Sequence, residues 1–160
     1  MSISDLIVVM KKGVVQQIGK PQDVYDNPAN LFVAKFLGTP PINVFAGQVR
    51  EQYLYLDGQR VLKVPGVSDR EVIAGVRPEG FVPEENGPMI CKLSGVEVMG
   101  RDVSVVCRHS ACENAAIRAI ISAENRVDTT QPTVRFSFKP AKVFLFAADT
   151  ELRLRPAQEV

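Results

Sequence analysis

The sequence predicts a mainly β protein, built as a small closed or nearly closed barrel with a hairpin and short helices added at the N-terminal end. Three observations point there. Short Val-rich runs recur along most of the chain, separated by turn residues. The pair Asp57-Gly58 lies between two such runs, the strongest short-range hairpin signal. Eleven prolines and 11 glycines punctuate 160 residues, which favours many short strands over a few long helices.

Composition narrows the function classes. Hydrophobic residues make up 46%, enough for a real core, and charged residues 23%. Nineteen basic against 18 acidic residues give a formal net charge of +1, with no basic block. A dedicated nucleic-acid or membrane-surface binder would show a basic excess, so both classes are disfavoured. No apolar run approaches the ~20 residues of a membrane-spanning helix. The opening Met1-Ser-Ile-Ser-Asp-Leu lacks the basic flank and apolar stretch of a secretory signal. Three cysteines, an odd number without framework spacing, fit a reducing cytoplasm.

The elements follow in order. Residues 6–10, Leu-Ile-Val-Val-Met, form a continuous apolar run, the pattern of a strand covered on both faces. Lys11-Lys12-Gly13 reads as a turn and residues 14–18 as a second strand. Pro21 suits the first position of a short helix running to Tyr25. Asn27 and Pro28 repeat the signal as cap and first residue of a second helix. That helix is expected to put Phe32, Val33, Phe36 and Leu37 on one face and to end at Gly38.

Thr39-Pro40-Pro41 breaks the pattern and marks the expected boundary between an appendage, residues 1–40, and a barrel domain, residues 41–160. Residues 49–56 and 59–64 are expected strands flanking Asp57-Gly58. Residues 71–76 form a strand that Pro78 stops, because proline cannot donate to a ladder. Residues 84–88 are a loop, and strands are expected at 90–98, 103–108, 134–138 and 143–146. Residues 115–123 are rich in alanine, but Ile117, Ala119 and Ile121 alternate with Arg118 and Ile120, which favours a strand. So many short strands suggest an OB-like barrel.

One resemblance covers nearly the whole chain. Asp5-Leu-Ile-Val-Val-Met-Lys-Lys-Gly13, Gln17-Ile-Gly-Lys-Pro21, Tyr25, Pro28 and Phe32-Val-Ala-Lys-Phe-Leu-Gly38 together resemble the end of the nucleotide-binding domain of ABC importer ATPases of the maltose and glycerol-phosphate type. Thr39-Pro-Pro-Ile-Asn43 is similar to that family's junction into its C-terminal, OB-like TOBE domain, and closer to the sugar branch than to polyamine importers. Gly75-Val-Arg-Pro-Glu79 resembles the family's most recognisable C-terminal motif. The likeness continues more weakly through Gly95-Val-Glu-Val-Met-Gly100 and Phe144-Leu-Phe146 to Thr150. The chain departs where the family reads Phe-Asp-x-x-Thr-Gly, having Phe146-Ala147 and Thr150-Glu151 instead, and it lacks the glycine turn near Gln131. Residues 1–4 resemble the segment just past the family's switch histidine, so the chain is expected to begin inside a longer protein.

The resemblance implies a regulatory and dimerisation module. Its partners would be a second copy, the upstream nucleotide-binding domain, indirectly the membrane permease subunits, and in some members a regulatory protein. It implies a cytoplasmic place at the inner face of the membrane, with ATP and magnesium bound by the parent but no cofactor in this segment. The 75–79 motif would lie at a domain–domain contact. The implied interface residues are Arg77, Pro78 and Glu79, with Leu6, Val8, Phe32 and Phe36 of the appendage. A free-standing OB-like module for an oligonucleotide or small ligand is the alternative.

Catalytic and metal chemistry are not expected. A phosphate-binding loop needs four residues between its first glycine and Gly-Lys-Ser/Thr, yet five separate Gly13 from Gly19, and Pro21 stands where the hydroxyl should be. Leu93-Ser-Gly-Val-Glu97 mimics an ABC signature, but β-branched Val96 and Val98 continue a strand. Cys107-Arg-His109-Ser-Ala-Cys112, with Cys91, lacks the paired-knuckle spacing of a zinc site. The lone histidine, His109, has no neighbouring carboxylate in sequence, and Glu84-Glu85 are solvating charges. Tyr53 and Tyr55 beside Arg50 and Arg60 could stack bases, but two tyrosines at this net charge are better read as core or interface packing.

Overall fold

A turn at Lys12-Gly13, with φ of 50° and 81°, folds strand β1 (Ile7–Lys11) back on β2 (Val14–Gly19). Two central residues of positive φ match the right-handed twist of a hairpin. The computed structural model in which this is seen describes residues 5–125 and 127–155. The strand at residues 6–10 is present, but it is not covered on both faces. Val9 alone is buried, packed with Val24 and Val33, while Val8 and Met10 remain about half exposed. The physical reason is that β1 belongs to a two-stranded ribbon with the helices on one side only.

Helix α1 (Pro21–Asp26) starts at Pro21 as expected. Helix α2 (Leu31–Phe36) does not start at Pro28, and Asn27 is not its cap. Asn27 closes the end of α1, donating its N–H to the Asp23 carbonyl, so the chain needs three more residues before it can turn again. Asn30 then caps α2, its side-chain oxygen accepting from the Val33 N–H at 2.9 Å. This shift rotates the helix. Leu31, Val33 and Ala34 are buried, Phe32 is half-buried, and Phe36 points outward at 60% exposure. Gly38, at φ +111°, lies just past the end, where glycine is expected.

From Ile42 onward the chain is β. The elements are β3 (Asn43–Arg50), β4 (Tyr53–Leu56), β5 (Gln59–Lys63), β6 (Arg70–Val76), β7 (Phe81–Pro83), β8 (Met89–Met99), β9 (Asp102–Arg108), β10 (Ile117–Ser122), β11 (Thr133–Phe138), β12 (Val143–Ala147) and β13 (Arg153–Leu154). Single 3-10 turns at Pro78–Gly80 and Pro140–Lys142 precede β7 and β12. The expected strand at residues 49–56 is two strands. Glu51 and Gln52 both take positive φ, 50° and 65°, and make a hairpin turn without the usual Asn-Gly chemistry. The Asp57-Gly58 turn and the strand at Ile117–Ser122 are as expected.

The strands form two antiparallel sheets, ordered β10-β9-β8-β11-β7 and β13-β12-β6-β3-β4-β5. Strand β10 also lies against β7 and Pro78–Gly80, so the five-stranded sheet curls until its two edges approach each other. The architecture is mainly β and consistent with an OB-like fold. Phe45, Leu54 and Leu56 of one sheet meet Phe81, Met89 and Phe136 of the other in one core. Phe81 packs edge-on against Phe136 and Phe138, with centroids 5.2 and 5.3 Å away. Buried Asn43 links the sheets: its amide donates to the Val76 and Arg118 carbonyls at 3.3 and 3.2 Å and accepts from the Arg118 N–H at 3.1 Å.

Candidate functional site

The 75–79 motif occupies the joint between the appendage and the barrel. Gly75 sits mid-sheet between Val44 of β3 and Phe144 of β12. A Cβ there would come within 2.8 Å of the end of the Ile42 side chain, so any larger residue would push Ile42 aside. Beyond it the strand ends at Val76, and Pro78 opens the 3-10 turn. Arg77 stands between the two and is fully buried, the largest buried side chain among the described residues.

No carboxylate touches the Arg77 guanidinium among the described residues; three backbone carbonyls do. One terminal nitrogen donates to Ala34 at 2.8 Å and Leu37 at 3.0 Å; the other donates to Tyr25 at 2.7 Å. These carbonyls belong to the ends of α2 and α1, where helix oxygens lack intrahelical partners. A cation at a helix C-terminus is also favoured by the dipole. The guanidinium stacks on the Tyr25 ring, 3.9 Å from its centroid, and lies 5.5 Å from that of Phe144. One side chain of the barrel therefore closes both helices of the appendage.

Arg77 makes no ion pair with Glu79; Tyr25 connects the two. The Tyr25 hydroxyl donates to Glu79, 2.7 and 3.0 Å from its two oxygens, and Lys142 Nζ lies 3.5 Å from Glu79 and 3.7 Å from Asp26. Burial, reinforced by the Glu79 carboxylate, pushes the pKa of the Tyr25 hydroxyl well above its ordinary value. Burial also lowers the basicity of Arg77, opposed by Tyr25, Glu79 and Asp26, and a guanidinium so placed stays charged at neutral pH.

A second tether comes from the end of the chain. An isolated antiparallel bridge joins Asn30 to Leu152, flanked by Leu31 N–H to Glu151 carbonyl and Arg153 N–H to Ala29 carbonyl, both 3.0 Å. The Arg153 side chain donates to the Pro28 carbonyl at 3.3 Å and lies 4.6 Å from the Phe144 ring centroid. Sequence reasoning did not find Arg153, Asn30 or Asn43. Their partners are remote, 125 residues away for Arg153 and Pro28, and no local pattern marks them.

The seven residues expected at an interface fall into two groups. Arg77 and Pro78 are buried under the appendage and Glu79 is part-buried beside them. Leu6 and Val8 are exposed at 66% and 51%, Phe36 points outward, and Phe32 is half-covered with the Lys11 ammonium 5.4 Å from its ring centroid. On the ribbon Val8 is paired with Ile18 and Met10 with Val15, so cross-strand apolar pairs remain uncovered.

The other candidates resolve simply. Gly13 is in a turn and Gly19 ends a strand, and residues 93–97 lie inside β8. Neither segment offers the amide cradle at a long helix that ATP and magnesium need. Among the described residues, no group of three or more His, Cys, Asp or Glu is arranged to hold a metal ion. Cys91 and Cys107 are buried core thiols, and Cys112 is half-buried. Tyr53 and Tyr55 lie half-buried outside the core, with the Arg60 guanidinium 4.6 Å from the Tyr53 ring centroid. No helix among the described residues is long and apolar enough to cross a membrane.

His109 gains partners that sequence proximity hides. Its Nδ1 accepts from the Ala111 N–H at 3.1 Å, and its Nε2 lies 2.9 Å from the Gln59 side-chain oxygen. The accepting Nδ1 makes the ring neutral, with its proton on Nε2. Burial holds its pKa below the ordinary 6.5, opposed by Asp57, whose carboxylate accepts from Ser110.

No protein-family model matches the chain. Curated relatives match it almost end to end. The sulfoquinovosyl glycerol transport ATP-binding protein SmoE of Agrobacterium fabrum is 32% identical over 161 residues, covering 94% of this chain and 44% of the relative. The oligosaccharides import ATP-binding protein MsmX of Bacillus subtilis is 31% identical over 172 residues, covering 97% and 46%. The sn-glycerol-3-phosphate import ATP-binding protein UgpC of Cereibacter sphaeroides is 34% identical over 157 residues, covering 96% and 44%. The chain spans somewhat less than half the length of these relatives.

Two outcomes are expected from this geometry. Arg77→Ala leaves three carbonyls without their donor and should cost about 3–5 kcal/mol in denaturant unfolding. Arg77→Lys should restore less than half of that, because an ammonium cannot serve three diverging carbonyls and stack on Tyr25; full rescue would mean that charge alone matters. For His109 the folded pKa lies below the unfolded one. The neutral ring's contribution is therefore complete above about pH 6.5 and is lost as pH falls through the folded value. Unfolding midpoints measured from pH 7.5 downward should decline across that window, and His109→Gln should flatten the decline.

Proposed function

Because this chain belongs to the family of ABC importer ATP-binding proteins for sugars and glycerol phosphate, we propose that it is the regulatory and dimerisation portion of such a subunit. Match to relatives over 94–99% of the chain, at under half of their length, supports that placement. In this reading the subunit is cytoplasmic and peripheral to the inner face of the membrane, where it works with permease subunits. Residues 1–40 close an upstream nucleotide-binding domain, and residues 41–160 are the TOBE domain. A sugar or a related polyol is the transported class.

The observation that carries the mechanism is Arg77. Because its guanidinium closes α1 and α2 from within the barrel, the appendage cannot tilt without stripping three buried carbonyls of their donor. Barrel and appendage then move as one body, so an event at the ATP site reaches the barrel as a displacement. A regulatory protein that holds the barrel restrains the ATP site in the same way. The exposed hairpin face is the seat of the nucleotide-binding domain in the parent; in the chain alone, a second copy takes it.

ATP and magnesium belong to the parent's upstream domain in this proposal, so the chain by itself should give no heat in calorimetric titration with magnesium ATP. Micromolar binding would overturn it. Sedimentation should show a dimer at micromolar concentration. Val8, Met10, Val15 and Ile18 are half covered already, so each contributes on the order of 1 kcal/mol when buried. Val8→Glu with Ile18→Glu, both on the exposed face, should therefore weaken the dimer without lowering thermal stability. A dimer unaffected by the pair places the contact on the barrel, and a monomeric unsubstituted chain removes the self-association reading altogether.

A further inference from the structure

A groove of about 440 Å³ opens where the end of α1 meets the Pro140–Lys142 turn and β12. Asp26, Asn27, Pro140, Lys142, Phe144 and Arg153 line it. The size lies within the range of small-ligand sites of roughly 300–1,000 Å³.

The charges are unevenly matched. The Lys142 ammonium has two carboxylates near it, Glu79 at 3.5 Å and Asp26 at 3.7 Å. Arg153 has none: among the described residues its side chain donates to one carbonyl, Pro28, and makes no ion pair. Arg155 follows two residues on, the spacing that returns a side chain to the same side of an extended chain, and it too makes no described ion pair. Burial, with the repulsion of Arg155, lowers the pKa of Arg153 to about 10. The Phe144 ring lies 4.6 Å from the Arg153 guanidinium and Nη1 is held by Pro28, which fixes the group and leaves Nη2 as the donor for an anion. Asp26 and Asn27 also line the groove and provide hydrogen-bonding groups; the Asp26 carboxylate accepts from Gln22 at 3.1 Å, and as an anion it favours hydroxyl donors over a second anion.

We propose that this groove binds a small polyhydroxylated organic anion, a sugar phosphate or sugar acid, with Arg153 holding the anionic group and Asp26 and Asn27 bonding the hydroxyls. A neutral sugar leaves Arg153 unmatched, and a bare anion leaves Asp26 and Asn27 unused. The groove adjoins the Tyr25–Glu79–Lys142 relay through Lys142 and Asp26. A ligand drawing on Asp26 therefore loosens its hold on Lys142 and is felt at the joint between appendage and barrel. The proposal stands on these residues and does not depend on the importer reading.

The test is a titration of the full chain, nitrogen-15 labelled, with glucose 6-phosphate, glucose and inorganic phosphate in parallel. Glucose 6-phosphate should give saturable shifts confined to residues 26–28, 140–144 and 153–155. It should bind at least about tenfold more tightly than either glucose or phosphate, a difference of about 1.4 kcal/mol. Arg153→Gln should abolish the preference; because Arg153 also holds Pro28, its fold is checked by the spectrum itself. Asp26→Ala is the independent variant, expected to weaken the sugar phosphate while leaving phosphate binding equal or tighter. Equal affinity for phosphate and glucose 6-phosphate would refute the polyol end. Shifts scattered over surface lysines, or no saturation by roughly 20 mM, would refute the site.

Discussion

A buried guanidinium answered by carbonyls is the constraint around which this chain is arranged. Removing Arg77 from water is costly, and no carboxylate among the described residues repays it at close range. What offsets the cost is geometry: two short helices end where their last oxygens converge on the fork, and an aromatic ring supplies a polarisable face. The helices need the arginine as much as it needs them. Six residues each, they are too short to persist by propensity alone, and they hold because tertiary contacts close their ends. Gly75, Pro78 and Asn43 serve the same end, bringing the strand close, stopping it and fixing the neighbouring sheet.

Much of the fold is legible in the sequence, because barrel strands leave a period-two trace. Ile117, Ala119 and Ile121 declare a strand despite their alanine-rich setting, and Asp57-Gly58 declares its hairpin. The failures share a physical cause. Glu51 and Gln52 turn the chain with positive φ at residues that carry no turn signature, since the strands on either side impose the conformation. Strands β7 and β13, of three and two residues, are too short for any period to register. The cap of α2 lies at Asn30 because the preceding helix has already used Asn27, a competition that neither asparagine shows on its own.

The joint is only half legible. Arg77 stands out by resemblance, and the sequence leaves open whether it pairs within the chain or meets a partner. Its acceptors are backbone oxygens 40 to 52 residues away, which no residue type announces. Charge pairing is read from side chains, so an arginine that pairs with main chain escapes it. The same holds for His109, whose partners Gln59 and Ala111 come together only when the β4–β5 turn reaches the loop after β9.

The tether between Pro28 and Arg153 joins residues 125 positions apart, and this has a consequence for how the chain is made. On a ribosome adding roughly 5–20 residues per second, the hairpin and helices emerge some 6–25 seconds before Arg153 exists. Arg77 arrives earlier, but Phe144 and the strand that covers the joint do not. For that interval the helices beneath the ribbon lack their second tether, and the ribbon's open edges can pair with neighbouring nascent chains. The helices of this segment are thus made well before the strand that secures them, and crowding on a polysome bears on them more than on the barrel.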